Sequence, residues 1–149
     1  MKADVPAILL AEDNPNDAEL TLEALAQHNL ANRVTVVRDG VEAMEYLRCT
    51  GSHADRSPCL PAVVLLDIKM PRKDGLEVLR EIRSDPALRR TPVVILTSSK
   101  EEQDILTSYD LGVNAYVVKP VGFQNFMEAV ERLGVFWALI NERPAGPAE

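Results

Sequence analysis

A doubly wound α/β fold, a five-stranded parallel sheet with five helices on its two faces, is predicted by three features of this 149-residue sequence. Apolar runs of four or five residues recur five times, each short enough for a strand and continuous enough to be buried on both sides. A helix-start signal follows each run, so strands and helices alternate. Polar or charged residues, Glu12 and Asp13, Asp67, Thr97 and Lys119, stand at the carboxyl ends of four of the runs. In an open parallel sheet these ends share one edge, which is where such sheets bind ligands.

The first run is Ala7 to Ala11, and Glu12-Asp13 follows it. Asn14-Pro15 then starts a helix, with Asn14 as cap, Pro15 at the first helical position and Asp17 facing the positive end of the dipole. Ala18, Leu22, Leu25 and Ala26 give that helix its buried stripe. Val34 to Val37 is the second strand, and Asp39-Gly40-Val41-Glu42 opens the next helix with a capping pair. Thr50 to Pro61 reads as a long exposed loop without chemistry.

Ala62 to Leu66 is the central strand, and Asp67 ends it. Met70-Pro71 stops the chain, and Asp74 with Glu77 caps a helix over about Gly75 to Ser84, broken by Asp85-Pro86. The fourth strand spans Pro92 to Leu96, with Thr97-Ser98-Ser99 at its tip. Ser99 and Glu102 cap a fourth helix, which is thinly apolar (Ile105, Leu106, Tyr109), ends near Gly112 and is expected to dock weakly. Ala115 to Val118 is the fifth strand, tipped by Lys119-Pro120. The last helix puts Phe126, Val130, Leu133 and Trp137 on one stripe, with Phe123, Met127 and Phe136 widening it. Pro144 to Glu149 reads as a disordered tail.

The length suits one domain over 1–149, with a core from about 7 to 137. A net charge of −7 argues against binding phosphate backbones, so no nucleic-acid partner is expected. No apolar run reaches the ~20 residues that span a bilayer and no signal-peptide pattern opens the chain, so no membrane partner and a cytoplasmic location are expected. Cys49, Cys59, His28 and His53 match no zinc spacing. They read as free thiols in a reducing compartment and as surface histidines.

Three carboxylates brought together at one sheet edge repel by roughly 4 kcal/mol per close pair at an effective dielectric near 20. Lys119 alone does not balance them, and an oxygen-only donor set calls for a hard cation, Mg²⁺. With the cation and Lys119 in place, Asp67 can attack phosphorus while Thr97 donates a hydroxyl hydrogen bond.

These pieces, Glu12-Asp13, Asp67 with Met70-Pro71 and Asp74-Gly75, Thr97-Ser98 and Lys119-Pro120, are where the sequence resembles a known family. From about Ala7 to Trp137 it is similar to the response-regulator receiver domains of two-component signalling. The resemblance implies a flavodoxin-like sheet of strand order 2-1-3-4-5. It implies phosphorylation of Asp67 by a histidine kinase, with Mg²⁺ on Asp13, Asp67 and the backbone carbonyl of Lys69, and on Glu12 through water. It also implies a cis bond before Pro120. Glu12 stands where Asp is common in the family. A narrower likeness, in Pro71 to Gly75, Asp104 to Gly112, Asn114 to Tyr116 and Phe136-Trp137, is to stand-alone regulators that partner bacterial phytochrome kinases.

Phosphate on Asp67 is expected to draw the Thr97 hydroxyl inward, with Tyr116 filling the vacated space and the fourth helix following. Output is expected through the fourth helix, fifth strand and fifth helix, including a homodimer built on Phe123, Met127, Phe136 and Trp137. Two other readings compete. A haloacid-dehalogenase-type phosphatase resembles a pattern with a second Asp two positions after Asp67, where Lys69 stands. A receiver-like adaptor that never takes phosphate would lack an acid, the hydroxyl or the lysine, and all are present.

Overall fold

The computed structural model describes residues 8–27, 34–56, 60–107, 113 and 115–134. Expectations placed on Ala7, His28, Cys59, Tyr109, Gly112, Asn114, Phe136, Trp137 and the 144–149 tail lie outside the described residues.

Among the described residues, the strands are β1 (Ile8–Ala11), β2 (Val34–Val37), β3 (Val63–Asp67), β4 (Val93–Thr97) and β5 (Ala115–Val118). They alternate with α1 (Pro15–Ala26), α2 (Gly40–Arg48), α3 (Gly75–Ser84), α4 (Lys100–Thr107) and α5 (Phe123–Leu133). Every strand pairing is parallel and the order is β2-β1-β3-β4-β5. The side-chain period of two then divides the core. Ile8, Leu10, Val63, Leu65, Val94 and Leu96 face one side with Leu25 of α1 and Phe126 and Val130 of α5. Leu9, Val64, Leu66, Val93 and Ile95 face the other with residues of α2, α3 and Leu106 of α4. The sheet is buried on both faces, so its carboxyl edge is left to carry polar chemistry.

The ladder runs one residue past two of the apolar runs. Asp67 pairs with Leu96 and Thr97 with Val118, so both polar side chains sit on the last rung of a central strand. Ala62 and Pro92 fall outside their strands, although the Pro92 carbonyl still accepts from Val64 N at 2.9 Å.

Helix starts follow the caps read from the sequence. Asn14 Oδ1 accepts from the backbone of Asn16 and Asp17, and Asp74 and Glu77 form a reciprocal capping box. Asp39 and Ser99 also accept from Glu42 N and Glu102 N as expected, and only the return contacts are offset. Glu42 and Glu102 accept from the backbone of Arg38 and Ser98, one residue before the expected Asp39 and Ser99. The buried stripe of α1 is also rotated, to Ala18, Thr21, Ala24 and Leu25. Thr21 tolerates burial because its hydroxyl donates to the Asp17 carbonyl at 2.9 Å.

The segment expected to be an open loop is partly folded onto α2. Gly51–His53 forms a 3₁₀ turn, His53 Nε2 lies 3.0 Å from Glu42 Oε2, and the Arg56 guanidinium sits 3.7 Å from the centre of the Tyr46 ring. His53 is therefore half-buried and partnered, not a solvated surface group. Cys49 is a free thiol. No helix among the described residues is long and apolar enough to cross a membrane.

The partner face needs a correction too. Met127 is 9% exposed and belongs to the core, and Phe123 is half-buried against the same cluster. The wide stripe of α5 reflects a helix packed beside β5 and over the first face of the sheet, so Met127 is covered by the chain itself and Phe123 partly so. In α4, by contrast, Leu106 is the single buried residue among those described and Ile105 is 58% exposed.

Candidate functional site

Parallel strands aim their carboxyl ends at one edge, and three of them bring the acids and the lysine together. Glu12 follows β1, and its backbone N–H still pairs with the Val37 carbonyl at 2.9 Å, which turns its side chain inward. The carboxylate is fully buried, and its Oε2 accepts from Asn14 N at 3.2 Å. Asp67 ends β3 and is 6% exposed, whereas Asp13 is exposed. Carboxylate oxygens of Glu12, Asp13 and Asp67 all lie within 4.8 Å of one another.

Lys119 enters from β5. Its backbone N–H donates to the Thr97 carbonyl at 2.7 Å, and the bond from Lys119 to Pro120 is cis. Its ammonium lies 2.9 Å from Asp17 Oδ2, 3.1 Å from Glu12 Oε1 and 3.3 Å from Asp67 Oδ2. These are charge-assisted contacts in a largely buried setting, stronger than surface pairs. Asp17 is a member of this cluster that the sequence reading assigned to the helix dipole alone. Its position in the first turn of a helix leaving an acidic strand tip was the available signal. Which way that turn faces was not legible.

Electrostatics follow from the crowding. Burial, and then the negative charge of Asp67, push the Glu12 carboxyl up to about 7, against the pull of Lys119. Burial works against the Lys119 charge, yet Asp17, Asp67 and Glu12 together hold the ammonium well above the ordinary lysine range. One ammonium thus serves a site with four carboxylates around it. The donor set is all oxygen and over-rich in negative charge, which fits a hard divalent cation.

Two further features shape the site. Gly75 N donates to the Ile68 carbonyl at 2.9 Å, and a Cβ on Gly75 would fall 2.3 Å from the Asp67 carbonyl oxygen, so the turn after β3 closes only over glycine. The resulting loop and Asp13 line a cavity of about 530 Å³, to which Ile68, Lys69, Met70, Pro71 and Asp74 contribute. At the tip of β4, Thr97 is fully buried and its hydroxyl oxygen makes no hydrogen bond among the described residues. An unsatisfied buried polar atom costs about 1–3 kcal/mol, so such a group in a native site calls for an explanation. Tyr116 lies half-buried on β5 against the α2–α3–α4 side of the core.

Residues 8–131 match the response regulator receiver domain. The chain belongs to that family. Response regulator Rcp1 of Synechocystis sp. is 40% identical to it over 130 residues, covering 87% of each chain. A solved structure of Rcp1 in a Mn²⁺-bound form has a TM-score of 0.68 at 38% identity, over 96% of this chain and 99% of that one. The bacteriophytochrome response regulator AtBRR has a TM-score of 0.86 at 59% identity, over 93% of this chain and 99% of that one. The phosphorylated cyanobacterial phytochrome response regulator RcpA has a TM-score of 0.70 at 44% identity, over 94% and 99%. This receiver domain is thus a response regulator similar to those of phytochrome signalling.

Proposed function

We propose that Asp67 accepts a phosphoryl group from a histidine kinase and that the domain signals by changing its protein contacts. The observation that carries this is the junction of Glu12, Asp13 and Asp67 under one lysine, beside a buried threonine hydroxyl that lacks a partner. Glu12, Asp13, Asp67 and the Lys69 carbonyl would hold Mg²⁺, Glu12 through water. Bound there, the cation supplies positive charge to the equatorial phosphoryl oxygens. An Asp67 oxygen bonds phosphorus as the bond from phosphorus to the kinase imidazole nitrogen breaks, its electron pair leaving with the ring. Lys119 holds Asp67 for attack and then pairs with the phosphoryl oxygens. Thr97 donates its hydroxyl to one of them.

Acetyl phosphate with Mg²⁺ is expected to add one phosphoryl group to the wild type, read by intact mass, and none to Asp67→Asn. Equal uptake in the variant overturns the assignment. The names of the similar regulators support a kinase of the phytochrome type, and we propose that the pair acts in the cytoplasm. Phosphotransfer profiling across candidate kinases tests that partner, and fastest transfer from an unrelated kinase rejects it.

The output reading rests on α4, β5 and α5, which enclose a cavity of about 540 Å³ lined in part by Lys100, Gln103, Tyr116, Glu128 and Arg132. Thr97 moving toward phosphate draws Tyr116 after it, and the thinly held α4 follows. A homodimer through this face rests on Phe136 and Trp137, because Phe123 and Met127 serve the core. Light scattering of wild type and Phe136→Glu tests it: two monomers, with and without phosphate, reject the dimer.

A further inference from the structure

The loop that follows β3 contains a strained turn. Lys73 N donates to the Pro71 carbonyl at 2.7 Å across Arg72, whose φ is +66°. A three-residue turn with positive φ at its centre is rare, and at a residue other than glycine it is costly. Such strain persists where neighbouring structure over-determines it, and it gathers at functional sites.

What over-determines this turn comes from a different element. Arg72 Nε donates to Asp39 Oδ2 at 2.9 Å and Nη2 to Oδ1 at 3.2 Å, a two-pronged grip on the residue that caps α2. The Asp39 side chain is 14% exposed and its Oδ1 also accepts from Glu42 N at 2.8 Å. Beside it, a Cβ on Gly40 would fall 2.0 Å from the Lys73 carbonyl oxygen, so the loop backbone rests directly on the first turn of α2. The ends of the loop are tied elsewhere, by Gly75 N to Ile68 O at 2.9 Å and by the Lys73 ammonium on Glu81 of α3. Its middle is set from α2 by Asp39 and Gly40. Met70 and Pro71 just before it, and Asp74 just after, line the cavity shared with Asp13 and Lys69.

We propose that Arg72, gripped by Asp39 over the Gly40 seat, is a positioning residue for divalent-cation binding: it fixes the loop that presents the Lys69 carbonyl beside Asp13. This rests on the reading of the acid cluster as a cation site. Capping α2 does not require the grip, since Asn caps as well as Asp. A negative charge at position 39 is needed for the guanidinium, not for the helix.

The test is calorimetric titration of the full chain with Mg²⁺, with no phosphodonor present. Asp39→Asn keeps the cap and Arg72→Ala removes an exposed side chain, so both variants are expected to fold, checked by circular dichroism. Each is expected to weaken Mg²⁺ binding by about tenfold, the low end for groups that orient metal ligands. Arg72→Lys is expected to bind as weakly as Arg72→Ala, because an ammonium cannot make the two-pronged contact. Arg89→Ala, on an exposed turn after α3, is expected to bind as the wild type does. Wild-type affinity in Arg72→Ala overturns the clamp, whatever Asp39→Asn does, since the clamp requires both partners. No binding by the wild type, or undiminished binding by Asp13→Asn, overturns the underlying cation site instead.

Discussion

The acid end of the sheet and the α4 side of the same sheet are built to opposite standards. At the acid end, Glu12 and Lys119 are each fixed from two directions. Glu12 is held by Asn14 and Lys119, and Lys119 by the Thr97 carbonyl and three carboxylates. On the α4 side, Thr97 ends in a hydroxyl with no partner among the described residues, and α4 docks through Leu106 with Ile105 58% exposed. Preorganised charge serves chemistry, because it requires no rearrangement when charge moves. Weak docking serves signalling, because a small change in free energy then shifts a population.

The largest test removes the keystone of the rigid end. Lys119→Met leaves Glu12 fully buried and Asp67 nearly so without their cation, and is expected to lose about 3–5 kcal/mol. Urea unfolding measures it, and Mg²⁺ is expected to return part of the loss. An unchanged midpoint would mean the acid end is not charge-balanced by Lys119.

The matching test on the loose side is Leu106→Ala, expected to cost about 2 kcal/mol, the low end for a buried Leu because α4 can settle into the gap. Hydrogen exchange is expected to rise across 100–107 while the strands keep their protection. Uniform deprotection of the sheet would show α4 to be as firmly docked as the rest.

Thr97→Val separates the cost of the site from its use. Replacing an unsatisfied buried hydroxyl with a methyl is expected to stabilise the resting protein by about 1 kcal/mol in urea unfolding. The same variant is expected to lose the exchange response of α4 to phosphorylation. Destabilisation would mean the hydroxyl is already satisfied at rest.

The smallest effect concerns pH. Burial opposes the Asp39 charge, but Glu42 N–H and Arg72 outweigh it and hold the carboxyl below its usual value of 3.8. A depressed folded value places this contribution to stability above pH 3.8, and it is lost as pH falls through the lower folded value. The stability difference between wild type and Asp39→Asn is therefore expected to be flat above that pH and to close below it. A difference that stays constant to the acid end of the range would mean Asp39 titrates as it does in the unfolded chain.

The strands, the helix starts and the identity of the main site residues were legible because they depend on local chemistry. Continuous apolar runs can only be buried, and Asn14-Pro15 or Asp74 with Glu77 satisfy helix N–H groups within a few residues of themselves. Strand-tip polarity placed Glu12, Asp67, Thr97 and Lys119 on one edge, since parallel strands share a direction. The order β2-β1-β3-β4-β5 came from family resemblance, because local patterns do not say which strands are neighbours.

What the tertiary structure decided are facts about rotation and approach between elements far apart in the chain. Asp17 turns to Lys119 across 102 residues, and Arg72 reaches Asp39 across 33. Met127 goes to the core because α5 lies against the first face of the sheet, and His53 folds back on Glu42 because the 3₁₀ turn brings it there. A hydrophobic pattern records that a side is buried to within about one residue of helical rotation, roughly 100°. That margin is wider than the angle separating a carboxylate that meets an ammonium from one that meets water, so the charge network became definite only when the elements were packed.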